Sequence, residues 1–75
     1  MAYIPEVLVH GDWYNNRLVF ETRQEAVAYA KSLHDRWKLV ENWRTSGTDQ
    51  PATHRWDTGK TWPDALSPVT PEAAP

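Results

Sequence analysis

The stretch FETRQEAVAYAKSLHDRW, residues 20–37, decides the fold because its pattern predicts one amphipathic helix. Thr22 and Glu25 have the spacing of a capping box, in which the Thr hydroxyl accepts a hydrogen bond from the backbone N–H three residues later. The interior of the stretch contains neither Gly nor Pro, the residues that most disfavour a helix. An isolated helix of this length is only marginally stable in water, so its apolar side must pack on another element. That side carries residues spaced at i, i+3, i+4, i+7 and i+11, namely Ala26, Tyr29, Ala30, Leu33 and Trp37.

Two strands are predicted before the helix, at residues 7–13 and 18–21. Asn15 and Asn16 lie between them, and Asn tolerates positive φ better than most residues. The pair therefore predicts a two-residue hairpin turn, with a three- or four-residue loop as the alternative. With the two-residue turn, one face of the hairpin is almost wholly apolar, as a core face should be. That face carries Val7, Val9, Gly11, Trp13, Leu18 and Phe20.

Two more strands are predicted after the helix, at residues 39–45 and 52–56. The stretch SGTDQP between them, residues 46–51, is dense in turn-forming residues and predicts a loop. The order strand, strand, helix, strand, strand indicates an α+β domain, in which the helix covers one face of a small antiparallel sheet. On this pattern Trp13, Trp37 and Trp43 point into the core, whereas Val40 points outward.

The last fifteen residues differ from the rest in composition. Four of the six prolines fall within residues 61–75, beside Ala, Ser and Thr. Such a composition is typical of a flexible or disordered segment. The sequence therefore predicts a single domain at residues 1–60 and a flexible, Pro-rich tail at residues 61–75. Trp62 and Leu66 are the side chains that would anchor the start of this tail on the domain.

Charge and composition argue against several classes of protein. The chain has 75 residues and a net charge of −2, and residues 1–60 contain eight basic and eight acidic residues, so no large basic surface is expected. No apolar run approaches the roughly 20 residues that span a bilayer. The N-terminus lacks the basic start and the long apolar centre of a secretory signal. Together with the absence of cysteine, these features predict a cytoplasmic protein without a membrane partner.

Patterns of catalytic or metal-binding residues are lacking. His10, His34 and His54 fall in different predicted elements, without the close pair that metal sites usually contain. The triplets DTG (residues 57–59) and GKT (residues 59–61) match fragments of the aspartic-protease and phosphate-binding motifs, but not the surroundings those motifs need. A chain this short also offers little scaffold for a pocket of a few hundred Å³. We therefore expect no enzymatic activity, no metal and no cofactor.

The sheet face away from the helix is the predicted binding surface. Arg and Tyr are common at the energetic centres of protein interfaces. Arg interleaved with aromatic side chains also suits single-stranded nucleic acid. Leu8, Val19 and Val40 would lie exposed on the same face and would need covering, so packing of two copies is a further alternative. The candidate partner-binding residues are His10, Tyr14, Arg17, Arg44 and Arg55.

One longer pattern combines the helix with the strands after it. It runs Phe20-x-Thr22-x-x-Glu25-Ala26, then Tyr29-Ala30, Leu33 and Arg36-Trp37, followed by Trp43-Arg44 and QPATHRW at residues 50–56. Over residues 11–57 the chain thereby resembles a group of small phage and prophage proteins of unknown function. The resemblance implies a virus-encoded accessory protein that acts in a bacterial cytoplasm, where such proteins often bind and inhibit a host enzyme or defence complex. It transfers no functional residue.

These observations predict a non-enzymatic accessory protein that binds, and by binding inhibits, a host protein of a defence or transcription complex. Single-stranded nucleic-acid binding through the same sheet face is the first alternative. A homodimeric structural protein, with the open faces of two copies packed together, is the second.

Overall fold

A computed structural model describes residues 1–69, which form five strands and one helix. The predicted α+β class and the order β-β-α-β-β are confirmed, and a fifth strand follows. The bounds differ from the predicted ones. The predicted strand at residues 7–13 is divided by a turn between the first two strands, and residues 18–21 form no strand beyond a bridge at Phe20. After the helix, the third strand continues into residues 46–48 and the fourth is shorter. The elements are β1 (Ala2–Val9), β2 (Asp12–Tyr14), α1 (Arg23–Arg36), β3 (Val40–Thr48), β4 (His54–Trp56) and β5 (Leu66–Pro68).

The strands form two antiparallel groups, β2-β1-β3 and β4-β5, which Phe20 joins. The N–H of Phe20 donates to the carbonyl of Tyr3 at 2.8 Å, and the N–H of Tyr3 donates to the carbonyl of Phe20 at 2.7 Å. On its other side Phe20 makes a parallel bridge to His54 of β4. The result is a continuous order β3-β1-Phe20-β4-β5, with β2 beside Phe20 on the same edge of β1.

The hairpin turn lies at His10-Gly11, so the predicted turn at Asn15-Asn16 is wrong. Both turn residues have positive φ, 52° and 83°, as a type I′ turn requires, and glycine adopts such angles at little cost. The Asn pair instead belongs to an irregular loop, in which Asn15 Oδ1 accepts from the N–H of Arg17 at 2.9 Å. The true register pairs Leu8 with Trp13 and Val7 with Tyr14.

The helix begins as predicted, with Thr22 as its N-cap. The hydroxyl of Thr22 accepts from the N–H of Glu25 at 3.2 Å. The Glu25 carboxylate accepts from the Thr22 hydroxyl at 2.9 Å and from the N–H of Trp56 at 2.9 Å, so it joins the helix start to β4. At the other end, the helix stops at Arg36 and the C-cap Trp37 is extended, with φ −118° and ψ 108°. The prediction that Trp37 faces the core is wrong, because the helical period ends before this residue and the side chain is 42% exposed.

Two groups of apolar side chains lie between the helix and the sheet, and Leu33 contacts both. Val40 belongs to the second group and is buried, although its strand pattern predicts an outward side chain. The ladder shifts register between Leu8 and Val9, so that Val40 pairs with Val9 on the core side. The first group consists of Phe20, Ala26, Tyr29, Trp56 and Ala65, and the second of Val7, Val9 and Val40, with Trp43 packed against it.

The structure differs from the predicted flexible tail over residues 61–69. Ala65 is only 1% exposed, and β5 pairs with β4. Trp62 lies with its ring centroid 6.5 Å from that of Tyr29, and the guanidinium carbon of Arg36 is 4.0 Å from the Trp62 centroid. Trp62 and Ala65 therefore attach this segment to the core. Residues 70–75 of the predicted tail lie outside the described residues.

Candidate functional site

The β2-β1-β3 sheet has a face that the helix does not cover. Val7 and Val9 of β1 pack with Leu33 of the helix, so the alternate residues of β1 point the other way. Directly paired residues on neighbouring strands share a face. Leu8 pairs with Trp13, and Glu6 pairs with Arg44. We call this group the outer-face patch, and it consists of Ile4, Glu6, Leu8, Trp13 and Arg44.

Arg44 is the centre of the outer-face patch because it contacts a side chain on each of the other two strands. Its guanidinium carbon lies 4.0 Å from the centroid of the Trp13 ring. Its Nε donates to Oε1 of Glu6 at 2.8 Å, and the Ser46 hydroxyl donates to the same oxygen at 2.9 Å. A cation over an aromatic ring at such a site contributes about 0.5–1 kcal/mol. The three side chains therefore hold one another in place, while half of the Arg44 side chain stays exposed.

The charges of the outer-face patch compensate each other. Partial burial of Glu6 would by itself raise the pKa of its carboxyl group. The hydrogen bonds from Arg44 and Ser46, together with the positive charge of Arg44, outweigh that effect and lower the pKa below its ordinary value. Glu6 is consequently ionised at neutral pH, so the patch contains one positive and one negative charge in direct contact.

The five residues predicted to form one binding face are not brought together. His10 is exposed in the β1–β2 turn, and Arg17 is exposed in the loop before Phe20 with a φ of 61°. Tyr14 pairs with Val7 and therefore lies on the helix side of the sheet. Arg55 lies in β4, beyond the Phe20 connection, and only Arg44 belongs to the outer-face patch. The predicted grouping is wrong for two reasons: the hairpin turns at His10-Gly11, and β4 does not pair with β3. A binding role for each residue stays a prediction.

Sequence reasoning missed Glu6 and Trp13 as surface residues. It assigned Trp13 to the core and gave Glu6 no role. The signal that could have found them is the His10-Gly11 pair, since Gly readily adopts the positive φ that a two-residue hairpin turn requires. Pairing the chain across that turn places Trp13 opposite Leu8 and away from Val7 and Val9.

The rest of the described chain offers no arrangement typical of metal binding. Within residues 1–69, no three His, Cys, Asp or Glu side chains are grouped as metal ligands, and no charged side chain is buried. A shallow cleft of about 740 Å³ runs past Glu21, Asp49, His54 and Arg55. Its lining combines acidic and basic side chains, so it has no single charge that would select a ligand.

No helix of residues 1–69 is long and apolar enough to cross a membrane. Comparison of the chain with protein-family models, curated proteins and solved structures finds no match. The function is therefore argued from the geometry of the outer-face patch.

Proposed function

We propose that this chain is a non-enzymatic protein-binding domain that contacts its partner through the outer-face patch. The observation that carries the proposal is the arrangement of Trp13, Arg44 and Glu6 on a sheet face that the helix leaves open. Trp and Arg are the residues most often found at the energetic centres of protein interfaces. Here both are already held by neighbouring strands, so ordering them on binding costs little entropy.

A protein surface fits the outer-face patch better than a nucleic acid does. Binding to a phosphate backbone depends on cations that are free to replace counterions. The charge of Arg44 is compensated by Glu6. Its guanidinium group lies over the Trp13 ring and so occupies one of the two ring faces on which a base could stack. Ile4 and Leu8 add partly exposed apolar surface beside this pair. A partner with a mixed apolar and polar surface would complement all of these groups.

The identity of the partner is argued from the resemblance to phage and prophage proteins. A small domain of this kind acts on a bacterial host protein in the cytoplasm. The effect that we propose on that protein is inhibition by occupation of its surface. A subunit of a defence or transcription complex is the kind of host protein that we propose.

Trp13→Thr tests the proposal, with Tyr14→Thr as its matched control. Both changes replace an aromatic ring of β2 by the β-branched Thr, which favours strands, but Tyr14 lies on the other side of the strand. Tagged wild type is used to capture proteins from a bacterial lysate, and the retained protein is purified and titrated by calorimetry. We expect Trp13→Thr to weaken its binding about tenfold or more, corresponding to about 1.4 kcal/mol, and Tyr14→Thr to bind like the wild type.

Three results would contradict this proposal. One is the absence of any saturable partner, and another is equal binding by the two variants. The third is binding of a labelled oligo-dT strand that falls steeply with rising salt, which would support the nucleic-acid alternative. Sedimentation at several protein concentrations separates the homodimer alternative, in which Trp13→Thr would instead dissociate the dimer.

A further inference from the structure

The outer edge of β3 presents backbone groups that no other strand uses. In the order β2-β1-β3, β3 is the terminal strand, and at nine residues it is the longest one. Edge strands of natural proteins are usually short or blocked, because an open row of N–H and C=O groups pairs readily with another chain. The length and openness of β3 therefore need an explanation.

The hydrogen bonds of β1 identify which groups of β3 point outward. Tyr3 uses its N–H and its carbonyl to pair with Phe20, so it has neither left for its β3 partner, Gly47. Hydrogen-bonded and non-hydrogen-bonded pairs alternate along an antiparallel ladder. Gly47 is therefore in a non-hydrogen-bonded pair. The same holds for Thr45, which pairs with Pro5, and for Trp43, which pairs with Val7. The N–H and C=O groups of Trp43, Thr45 and Gly47 therefore face away from β1.

The side chain of Asn42 supports this assignment. Its Oδ1 accepts a hydrogen bond from the N–H of Trp43 at 2.8 Å. A backbone N–H that took part in the β1–β3 ladder would not be available for this bond. Within residues 1–69, Thr45 and Gly47 have no hydrogen-bond partner for their outward N–H groups other than solvent.

A groove runs beside this edge, between β3 and the first half of the helix. Its volume is about 610 Å³. Val27 and the Trp43 ring supply apolar surface, and the lining contains no acidic residue. Of its two arginines, Arg44 is paired with Glu6, whereas Arg23 forms no ion pair within residues 1–69. The residues around it are Arg23, Gln24, Val27, Trp43, Arg44 and Thr45. An extended segment that paired with β3 would place alternate side chains in this groove, and its charge should be negative.

We propose that β3 accepts an extended, acidic peptide segment of a partner protein as an additional strand. Backbone hydrogen bonds to Thr45 and Gly47 supply the pairing, and pockets beside the edge select alternate side chains, as in other cases of strand addition. An apolar side chain of the segment packs on Val27 and Trp43, and an acidic one contacts Arg23. This surface shares Arg44 with the outer-face patch but uses the edge of β3 and the helix side, and the inference does not depend on binding at that patch.

A second copy of the chain fits the same edge poorly. Antiparallel pairing of two β3 strands centred on Arg44 places the two Arg44 side chains opposite each other. Centring the pair on Thr45 places Glu41 opposite Asp49 of the other copy. Like charges directly opposite one another destabilise a strand pair. Charge thus favours an acidic segment from a different protein over self-pairing.

Thr45→Pro tests the backbone part of the proposal, with Thr45→Val as its matched control. Proline removes the outward N–H, which the native sheet does not use, and proline is tolerated at such edge positions. Valine has nearly the same shape as threonine and keeps the N–H. The probe is a displayed library of random twelve-residue peptides, from which the most enriched sequence is synthesised and titrated. We expect enrichment of Asp or Glu, a loss of about tenfold or more in affinity for Thr45→Pro, and unchanged affinity for Thr45→Val.

Arg23→Glu tests the charge part, with Lys31→Glu as a control on the same helix outside the groove. Arg23→Glu should weaken binding of the peptide several-fold, and Lys31→Glu should not. A second readout is amide hydrogen exchange on the wild type, in which the saturating peptide should slow exchange at Thr45 and Gly47. This readout holds even if Thr45→Pro does not fold. The proposal is overturned if the library yields no binder, if enriched peptides are not acidic, if these two amides stay unprotected, or if wild type forms a dimer that Thr45→Pro dissociates.

Discussion

Trp13 and Trp62 each lie beneath an arginine, with 4.0 Å between guanidinium carbon and ring centroid in both pairs. The two pairs differ in what else the tryptophan ring contacts. The Trp62 ring also packs against Tyr29, whose ring belongs to the core, so the Trp62–Arg36 pair covers the edge of that core. Trp13 belongs to a short strand at the sheet surface, and its arginine is held by a carboxylate rather than by the core. The same pair of residue types therefore attaches a segment in one place and builds a surface in the other.

The hydrogen bonds of the two arginines support this distinction. The Nε of Arg36 donates to the neutral Ser32 hydroxyl one helical turn earlier, at 3.1 Å. The Nε of Arg44 donates to Glu6, which is 38 positions away in the sequence. The first contact is local to the helix, whereas the second exists only when β1 and β3 are paired. The following predictions test how far the two regions differ.

The largest effect is expected at Tyr29, on the core side of the comparison. Its ring contacts Phe20 at 5.6 Å and Trp56 at 5.8 Å between centroids, and its hydroxyl accepts from Asn16 at 2.8 Å. Tyr29→Ala should reduce the free energy of unfolding by about 3–5 kcal/mol, because it leaves a cavity among these rings. Urea unfolding followed by tryptophan fluorescence measures the change.

Tyr14→Ala is the control for Tyr29→Ala, because Tyr14 is 52% exposed. It should change the free energy of unfolding by no more than about 0.5 kcal/mol, as is usual for surface positions. Equal losses for the two variants would mean that the rings around Tyr29 do not form the centre of the core.

A smaller effect is expected from Trp62→Ala, which tests whether this ring attaches residues 61–69. The expected loss of unfolding free energy is about 0.5–3 kcal/mol, the usual range for a single substitution. Hydrogen exchange should accelerate at the N–H of Asp57, which donates to the carbonyl of Ala65 at 2.9 Å. Trp13→Ala serves as the comparison, and its exchange at Asp57 should match that of the wild type. Faster exchange at Asp57 in both variants would remove the distinction between the two tryptophans.

The smallest effect is expected from the Glu6–Arg44 pair and depends on pH. The pKa of Glu6 is lower in the folded protein, so its contribution to stability is complete above the unfolded-state pKa, about 4.3. It is lost as pH falls through the folded-state pKa. For a pair this exposed it should stay below about 1 kcal/mol.

Urea unfolding at pH 7 and pH 3, on the wild type and Glu6→Gln, measures this contribution. The wild type should lose more stability than the variant between the two pH values. The same comparison for Ser32→Ala should show no such difference, since Arg36 bonds a group that does not titrate there. A wild type and a Glu6→Gln variant with parallel pH profiles would contradict the role assigned to Glu6.

Local patterns were sufficient to predict the helix and its N-cap. Thr22 and Glu25 are three residues apart, and Ala26, Tyr29 and Ala30 repeat at helical spacing, so both signals are carried by residues that are close in the sequence. The order of the elements follows from the same kind of signal, because strand and helix periods differ. The β1–β2 turn was also encoded locally, by His10-Gly11, but the Asn pair satisfied the same rule a few residues later.

The remaining features depend on residues that are distant in the sequence. Phe20 joins β1 to β4 through backbone bonds, which no side-chain pattern specifies. Glu25 accepts a hydrogen bond from Trp56, a contact over 31 positions that the capping-box motif does not include. Trp62 and Ala65 attach a Pro-rich segment to the core. Its composition alone predicts flexibility, because composition contains no information on whether the Trp62 ring packs against Tyr29.

The sequence by itself determined the α+β class, the helix and the succession of elements, since these follow from the spacing of apolar residues and from local capping. Only the tertiary structure decided which surface is available for binding. A strand's side-chain period is two, so a shift in the hairpin turn exchanges the two faces, and the turn that formed placed Trp13 over the outer side of the sheet. Pairing of β1 with β3 then brought Glu6 and Arg44 together beside it, and this contact completes the outer-face patch.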